Sequence, residues 1–431
     1  MTTRRWIALV IAAVVVVGGA AGGVLWWSSS KQQPQTRPAP ATPVAMSVAN
    51  VPDKLTIGVI LSLSSEPGEG EDWKAAANGA QVAAQRLAMG GTHVKLKTVD
   101  DKGTTDGARK AVKQLVAAHV AGIVVASEGP HLKGAVEAAQ RSGTPLLMPY
   151  EADLDLIGDH VWATGATDQV IGTAMQAALA SAKVSHPLLI NAGDGAPDGI
   201  EPDNKITFKT GGDSDKLIKQ IEAVTGAKHN SVDSIVVSGP ATQLAAVERA
   251  LQGAQPNLPV FFTPDATSPA FSDALLEADA SLSSNLNTVG VDDSDAVALR
   301  TDTNGRAMAS FLAAVRLVAQ DGDEKTLPGD QTFATAADQA DPASHDAVIA
   351  LVHAAAAAQS TAPSDVAAAL QHLRLDHTQG LAGPALDFTH PAALDERAVV
   401  ALRSSDQDLG LRPQSQDSQP RLIWFAGPVT K

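Results

Sequence analysis

The chain contains no cysteine. That excludes disulfides, thiol nucleophiles, cysteine-ligated metals and a lipid-modified cysteine as membrane anchor. Aromatic residues are scarce at 3%, with a single tyrosine, which argues against the aromatic stacking platforms that hold single-stranded nucleic acids. Positive charge is short as well. Against 47 Asp and Glu stand 32 Lys and Arg, a net charge of −15, which disfavours nucleic acid and anionic lipid as partners of the folded part. Catalytic signatures are missing: there is no Walker loop, no G-x-S-x-G and no H-E-x-x-H. Ser28-Ser29-Ser30-Lys31 fits S-x-x-K but stands without companion motifs, and Gly193, Gly195 and Gly199 have the wrong spacing for a dinucleotide fingerprint. The 11 histidines lack zinc-ligand spacing. Asp194, Asp198, Glu201 and Asp203 do not follow the EF-hand pattern and read as an acidic surface loop. The expectation is a protein that is not an enzyme and uses neither cofactor nor metal.

What is present begins with an uncharged run, Trp6–Trp27, rich in Val, Ala, Ile and Gly. Its length suits a membrane-spanning helix of about 20 residues. Arg4 and Arg5 precede it, so residues 1–27 read as a short cytoplasmic tip and a transmembrane anchor. A cleaved signal peptide has a shorter apolar region, of about 7–15 residues, and a small-x-small cleavage site, which Leu25-Trp26-Trp27 does not offer. Residues 28–53 read as a Pro/Ser/Gln/Ala linker. Fully extended, such a tether reaches roughly 80–90 Å, at about 3.3–3.6 Å per residue.

From Lys54 onwards short apolar runs alternate with amphipathic helical ones. The strand Leu55–Leu61 leads to the polar loop Ser62–Asp72 and a helix containing Asn78-Gly79-Ala80. A strand ending Val99-Asp100-Asp101, the helix Gly107–Ala118, the strand Gly122–Ala126, the helix Leu132–Arg141 and the strand Leu146–Met148 follow. A second series runs through Pro187–Asn191, Ser234–Ser238 and Val260–Thr263 with helices between them. This is the pattern of an α/β protein with two doubly wound, parallel-sheet lobes. The boundaries read as 54–164 plus about 289–376 for the first lobe, and 165–288 plus about 377–431 for the second. Ligands of such sheets bind beyond the carboxyl ends of the strands. The polar residues placed there in the first lobe include Ser64, Ser65, Ser127, Glu128, Tyr150 and Glu151.

The Ser-rich loop after the first strand, Asn78-Gly79-Ala80, the Asp100-Asp101 pair, Gly143-Thr144-Pro145 and the later Ser344-His345-Asp346-Ala347-Val348 form an ordered set. In that set the chain resembles the type 1 periplasmic binding proteins, in particular their branched-chain amino acid receptor branch, over roughly residues 54 to 430. The resemblance implies a small solute bound between two lobes, lobe closure as the delivery or signalling step, and an ABC-type permease as partner. It places Ser127 in the turn that holds an amino-acid carboxylate, and Asp265 in an acidic loop that pairs with an ammonium group. It places Trp73 one position from a usual aromatic, and Asp194 and His345 where aromatics usually stand.

Several of these residues have two readings. Ser127 either faces the ligand or caps the following helix, and Glu128 beside it repels a carboxylate. Tyr150 stacks on a ligand or plugs the cleft. Glu151 reads equally as a solvated loop charge, Asp265 as a turn aspartate, and His345 as packing near the hinge. The function expected is a membrane-anchored, extracytoplasmic binding protein for a small polar solute, amino-acid-like or amine-bearing. The alternative is a cell-envelope scaffold or regulator that keeps the fold, binds an envelope protein and has lost the small ligand.

Overall fold

The computed structural model describes residues 42–65, 68–226, 232–282, 285–413 and 420–427. The run Trp6–Trp27 lies outside them, and among the described residues no helix is long and apolar enough to cross a membrane. The first lobe is built on β1 (Thr56–Leu61), a strand buried on both faces. Ile57, Val59 and Leu61 point into one core and Ile60 into another, as the two-residue repeat of a strand requires. Around it the chain winds α1 (Gly79–Met89), β2 (Lys95–Asp100), α2 (Thr105–Ala117), β3 (Ile123–Ala126), α3 (Lys133–Ser142), β4 (Leu146–Met148) and β5 (Val161–Ala163). The strands pair in parallel in the order β2-β1-β3-β4-β5. Val112 and Leu115 of α2 and Ala135 and Ala139 of α3 cover one face, while Ala80, Ala83 and Leu87 of α1 cover the other. The first turn of α2 is capped by Thr104, whose hydroxyl accepts from the Gly107 N–H at 3.0 Å.

The second lobe repeats the scheme with α4 (Asp168–Ala182), β6 (Pro187–Asn191), β7 (Asn204–Thr207), α5 (Ser214–Thr225), β8 (Ser234–Ser238), α6 (Ala241–Ala254), β9 (Val260–Phe262), α7 (Pro269–Glu277) and β10 (Asn287–Val291). The chain then returns through α8 (Thr303–Gln320), α9 (Phe333–Ala336), α10 (Pro342–Ala358) and α11 (Pro363–Leu370). Val348, Leu351 and Val352 of α10 complete the core on the α1 side of the first sheet. A short antiparallel pair follows, β11 (Arg374–Leu375) with β12 (Leu386–Asp387). Finally β13 (Val399–Ser405) and β14 (Ile423–Ala426) add antiparallel strands to the second sheet, whose order is β14-β13-β10-β9-β8-β6-β7.

Two boundaries differ from the sequence reading. Leu381, Leu386, Phe388 and Ala393 belong to the first lobe's core, and the Trp162 Nε1–H donates to the Phe388 carbonyl at 3.1 Å. The last crossing to the second lobe therefore follows Ala393 rather than residue 377: the strand that the sequence signals at 385–388 pairs with β11 and packs on the first lobe instead of joining the second sheet. The linker also ends early. The Met46 N–H donates to the Arg86 carbonyl at 2.9 Å, Arg86 Nε donates to the Val44 carbonyl at 3.0 Å, and Met46 is buried. Gly90 permits this contact, since a Cβ there would lie 2.0 Å from the Met46 carbonyl oxygen. Residues 42–53 are thus docked on the first lobe.

Candidate ligand-binding cleft

Between the lobes lies a cleft of about 1470 Å³. Its walls come from the carboxyl ends of β3, β4, β8 and β9 and from the segments after β6 and β10. Of the residues singled out from the sequence, Trp73, Glu128, Tyr150, Glu151, Asp194 and Asp265 line it together. Ser64, Ser65, Ser127 and His345 do not.

The turn after β3 explains part of this division. Ser127 is wholly buried, and its hydroxyl lies 2.7 Å from that of Ser62 and 3.3 Å from His131 Nε2. Ser62 donates to Asp101 Oδ1 at 2.7 Å, and His131 Nε2 lies 3.2 Å from Asp101 Oδ2. Serine, histidine and aspartate meet here, but both partners of the imidazole share one nitrogen. A proton relay needs a different ring nitrogen for each, so the cluster ties the strand ends together instead. The next residue, Glu128, turns the opposite way. Gly129 has φ 111°, a left-handed conformation that suits glycine. Its N–H donates to Glu151 Oε2 at 2.7 Å, so the backbone donor of this turn is used by the protein's own carboxylate.

Trp73 and Tyr150 stack on each other with ring centroids 4.4 Å apart and planes 11° from parallel. Both polar tips are held. Trp73 Nε1–H donates to Glu128 Oε2 at 2.7 Å, and the Tyr150 hydroxyl donates to Asp341 Oδ2 at 2.7 Å while lying 2.6 Å from the Ser344 hydroxyl. Asp341 caps α10 by accepting from the Ser344 N–H at 3.0 Å. One aromatic pair therefore joins Glu128 to Asp341 across the cleft wall.

The remaining candidates close loops or fill the core. Ser64 donates to Asp100 Oδ2 at 2.6 Å, and Ser65 lies 3.4 Å from Glu71 Oε2. His345 is fully buried, edge-on to Phe311 at 5.3 Å, with Nδ1 2.7 Å from Asp346 Oδ1. Its Nε2 lies 3.0 Å from Arg86 Nη1, and Arg86 can only donate, which assigns the proton to Nδ1. Burial lowers the His345 pKa and keeps the ring neutral.

The cleft is acidic throughout. Among its described lining residues fifteen are Asp or Glu and two are Arg, and Arg412 and Arg421 both pair with Asp295, at 2.9 and 2.6 Å. Burial, then the nearby Asp194 and Asp72 charges, push the Asp265 carboxyl up to about 8. Burial followed by Asp265 and Asp72 raises Glu128 well above the usual carboxylate range. Burial lifts Asp341 to about 7, and burial with the Asp341 charge raises Asp293 well above its ordinary value. Sequence reasoning missed Asp293 and Asp341. Asp293 does follow a strand, β10, and the strand-end rule finds it once that strand is assigned to the sheet. Among the described residues no group of three or more His, Asp or Glu is arranged to hold a metal ion.

Residues 54–401 match the family described as Periplasmic binding protein. The chain belongs to that family. No curated protein matches this binding protein by sequence. Among solved structures it is similar to a periplasmic binding protein type 1 from Bordetella pertussis Tohama I, at 14% identity and TM-score 0.61, covering 86% of this chain and 99% of that one. It is similar to LivJ of Streptococcus pneumoniae, a branched-chain amino acid transporter substrate-binding protein solved with isoleucine (19% identity, TM-score 0.59, covering 82% and 96%). An ABC transporter substrate-binding protein from Desulfitobacterium hafniense, in complex with Leu, is similar at 16% identity and TM-score 0.56, covering 86% and 100%. At these identities the likeness is one of fold: this binding protein shares the two-lobed α/β architecture.

Proposed function

We propose that the chain is a membrane-anchored, extracytoplasmic solute-binding protein that takes a small, amine-bearing polar solute between its lobes, for uptake through an ABC-type permease or for sensing. The observation that carries this reading is a single cleft to which both lobes contribute polar strand-end residues, Glu128 and Tyr150 from one and Asp194 and Asp265 from the other. Trp73, Tyr150, Glu128, Glu151, Asp194 and Asp265 are the contact residues proposed, with the aromatic pair packing against the solute's carbon skeleton and the carboxylates receiving its ammonium. A solute bridging both walls stabilises the closed arrangement by its extra contacts there, which is the free energy available to drive a partner. The run Trp6–Trp27 supports the anchor, and the family supports the extracytoplasmic side.

A thermal-shift screen of the full-length protein against amines, amides and amino acids tests the proposal. A true ligand at about 100 times its Kd adds roughly 2.7 kcal/mol to stability, and Asp265→Asn should weaken it. No response across the panel, together with recovery of an envelope protein from membrane extracts, would replace this reading with that of a scaffold.

A further inference from the structure

Resting on the reading of the cleft as a solute site, we propose that the solute is a multiply protonated amine, with at least two separated ammonium groups and no carboxylate, spanning the two acidic groups joined by the Trp73–Tyr150 stack.

The first argument concerns what an α-amino acid would need. Its carboxylate requires free N–H groups, hydroxyls or a cation. In this cleft the Gly129 N–H is taken by Glu151 at 2.7 Å, and the Ser127 hydroxyl is buried behind the wall. Both lining arginines are committed to Asp295, and Arg412 also donates to the Ala337 and Ala340 carbonyls. The unpaired hydroxyls of Ser268 and Thr164 are the neutral donors left to it in this wall, and a ligand carboxylate reaching them would stand among carboxylates.

The second argument concerns the arrangement of the acids. Glu128, Asp265 and Asp194 line the cleft together and form one group, in which the Asp265 charge bears on Glu128, that of Asp194 on Asp265, and that of Asp72 on both Glu128 and Asp265. Asp341 and Asp293 form another, which also bears on the Tyr150 hydroxyl. The stacked rings separate the two, with Trp73 bonded to the first group and Tyr150 to the second. One ammonium neutralises one group and leaves the other uncompensated. Two ammonium groups on an aliphatic chain answer both, with the methylenes lying along the rings and each cation gaining from the aromatic faces.

The third observation is of hydroxyls left unpaired in the cleft wall, each free to accept as well as to donate. Ser268 Oγ and Thr164 Oγ1 line the cleft, belong to residues only 3% and 7% exposed, and have no hydrogen-bond partner. Buried polar atoms are ordinarily paired, and the N–H groups of alkylammonium ions are suitable partners for both oxygens.

Isothermal titration of the full-length protein with 1,4-diaminobutane, spermidine, n-butylamine and leucine distinguishes the outcomes. The diamine and triamine should bind at least tenfold more tightly than n-butylamine, with affinity falling as salt is added, and leucine should not compete. Glu128→Gln and Asp341→Asn should each reduce diamine affinity about tenfold or more and bring it towards that of the monoamine. The variants' far-ultraviolet circular dichroism should match the parent's. Leucine binding in preference to the diamines would overturn this inference and leave the solute-binding function standing. Equal affinity for the monoamine and the diamines would also overturn it, since only one acidic group would then be in use. An absence of heat with all four probes would sink the inference and the solute reading together.

Discussion

Asp72 offers the sharpest test of how burial and charge are balanced around the cleft. It lies in the turn Glu71–Trp73 of the first lobe, is 2% exposed, and accepts from the Ala241 N–H at 2.9 Å through Oδ2, while Oδ1 has no partner. Burial, partly offset by that N–H, pushes its carboxyl from 3.8 up to about 6. Two units at 1.36 kcal/mol each make ionisation cost the folded state about 3 kcal/mol. The opposing effect is the favourable placement of a negative charge at the amino end of α6, worth about 0.3–1 kcal/mol and up to about 2 when partly buried, so the burial cost prevails. Because the folded-state pKa is raised, the stability is fully present below about pH 4 and is lost as pH rises through 6. Asp72→Asn keeps an oxygen for Ala241 and removes the charge. It should raise stability at pH 8 by about 2–3 kcal/mol and leave stability at pH 4 within about 0.5 kcal/mol of the parent. Urea unfolding followed by tryptophan fluorescence at pH 4, 6 and 8 measures this. An Asn variant less stable than the parent at pH 8 would show that the helix-end charge outweighs burial, and would refute the reasoning.

Glu248 in α6 is buried and held near 7 by burial, with Gln252 donating to it at 3.0 Å. Its burden is absent below about pH 4.5 and complete above 7, so Glu248→Gln should stabilise the protein by about 3 kcal/mol at pH 8 and leave thermal melts at pH 4 unchanged. Retention of Trp6–Trp27 predicts that intact-mass analysis of membrane-extracted protein finds that segment present, and a mature start between Ser28 and Ala49 would exclude the anchor.

Much of the first lobe was legible because its strands are short, doubly buried apolar runs and its helices carry one apolar face. The reading Gly122–Ala126 and the strand Ile123–Ala126 differ by one residue. β7 escaped because Ile206 is its sole buried apolar position, with exposed Lys205 and Thr207 on either side. In the cleft, strand ends gave the right loops but not the direction of each side chain. Ser127 and Glu128 are adjacent in sequence and point to opposite sides of the wall, with the left-handed Gly129 turning the chain immediately after them. Asp341, 191 residues from Tyr150, comes into place only when α10 packs on the first sheet. His345 could not be separated from a ligand contact until Arg86 and Asp346 were seen to occupy both its nitrogens.

The docking of residues 42–53 changes the mechanics of the whole assembly. The stretch read from sequence as the end of the linker is, from Thr42 onwards, part of the folded body. Moreover this docked stretch is fastened to one lobe: Ser310 donates to the Thr42 carbonyl at 2.8 Å and Arg86 to that of Val44, both from helices of the first lobe. Under the anchoring and lobe closure proposed above, the first lobe would be the stator and the second the rotor. Under the proposed anchoring and closure, the Asp194 and Asp265 side would be the part that moves, and a permease reading the closed state would meet one surface that stays and a second that arrives with the solute.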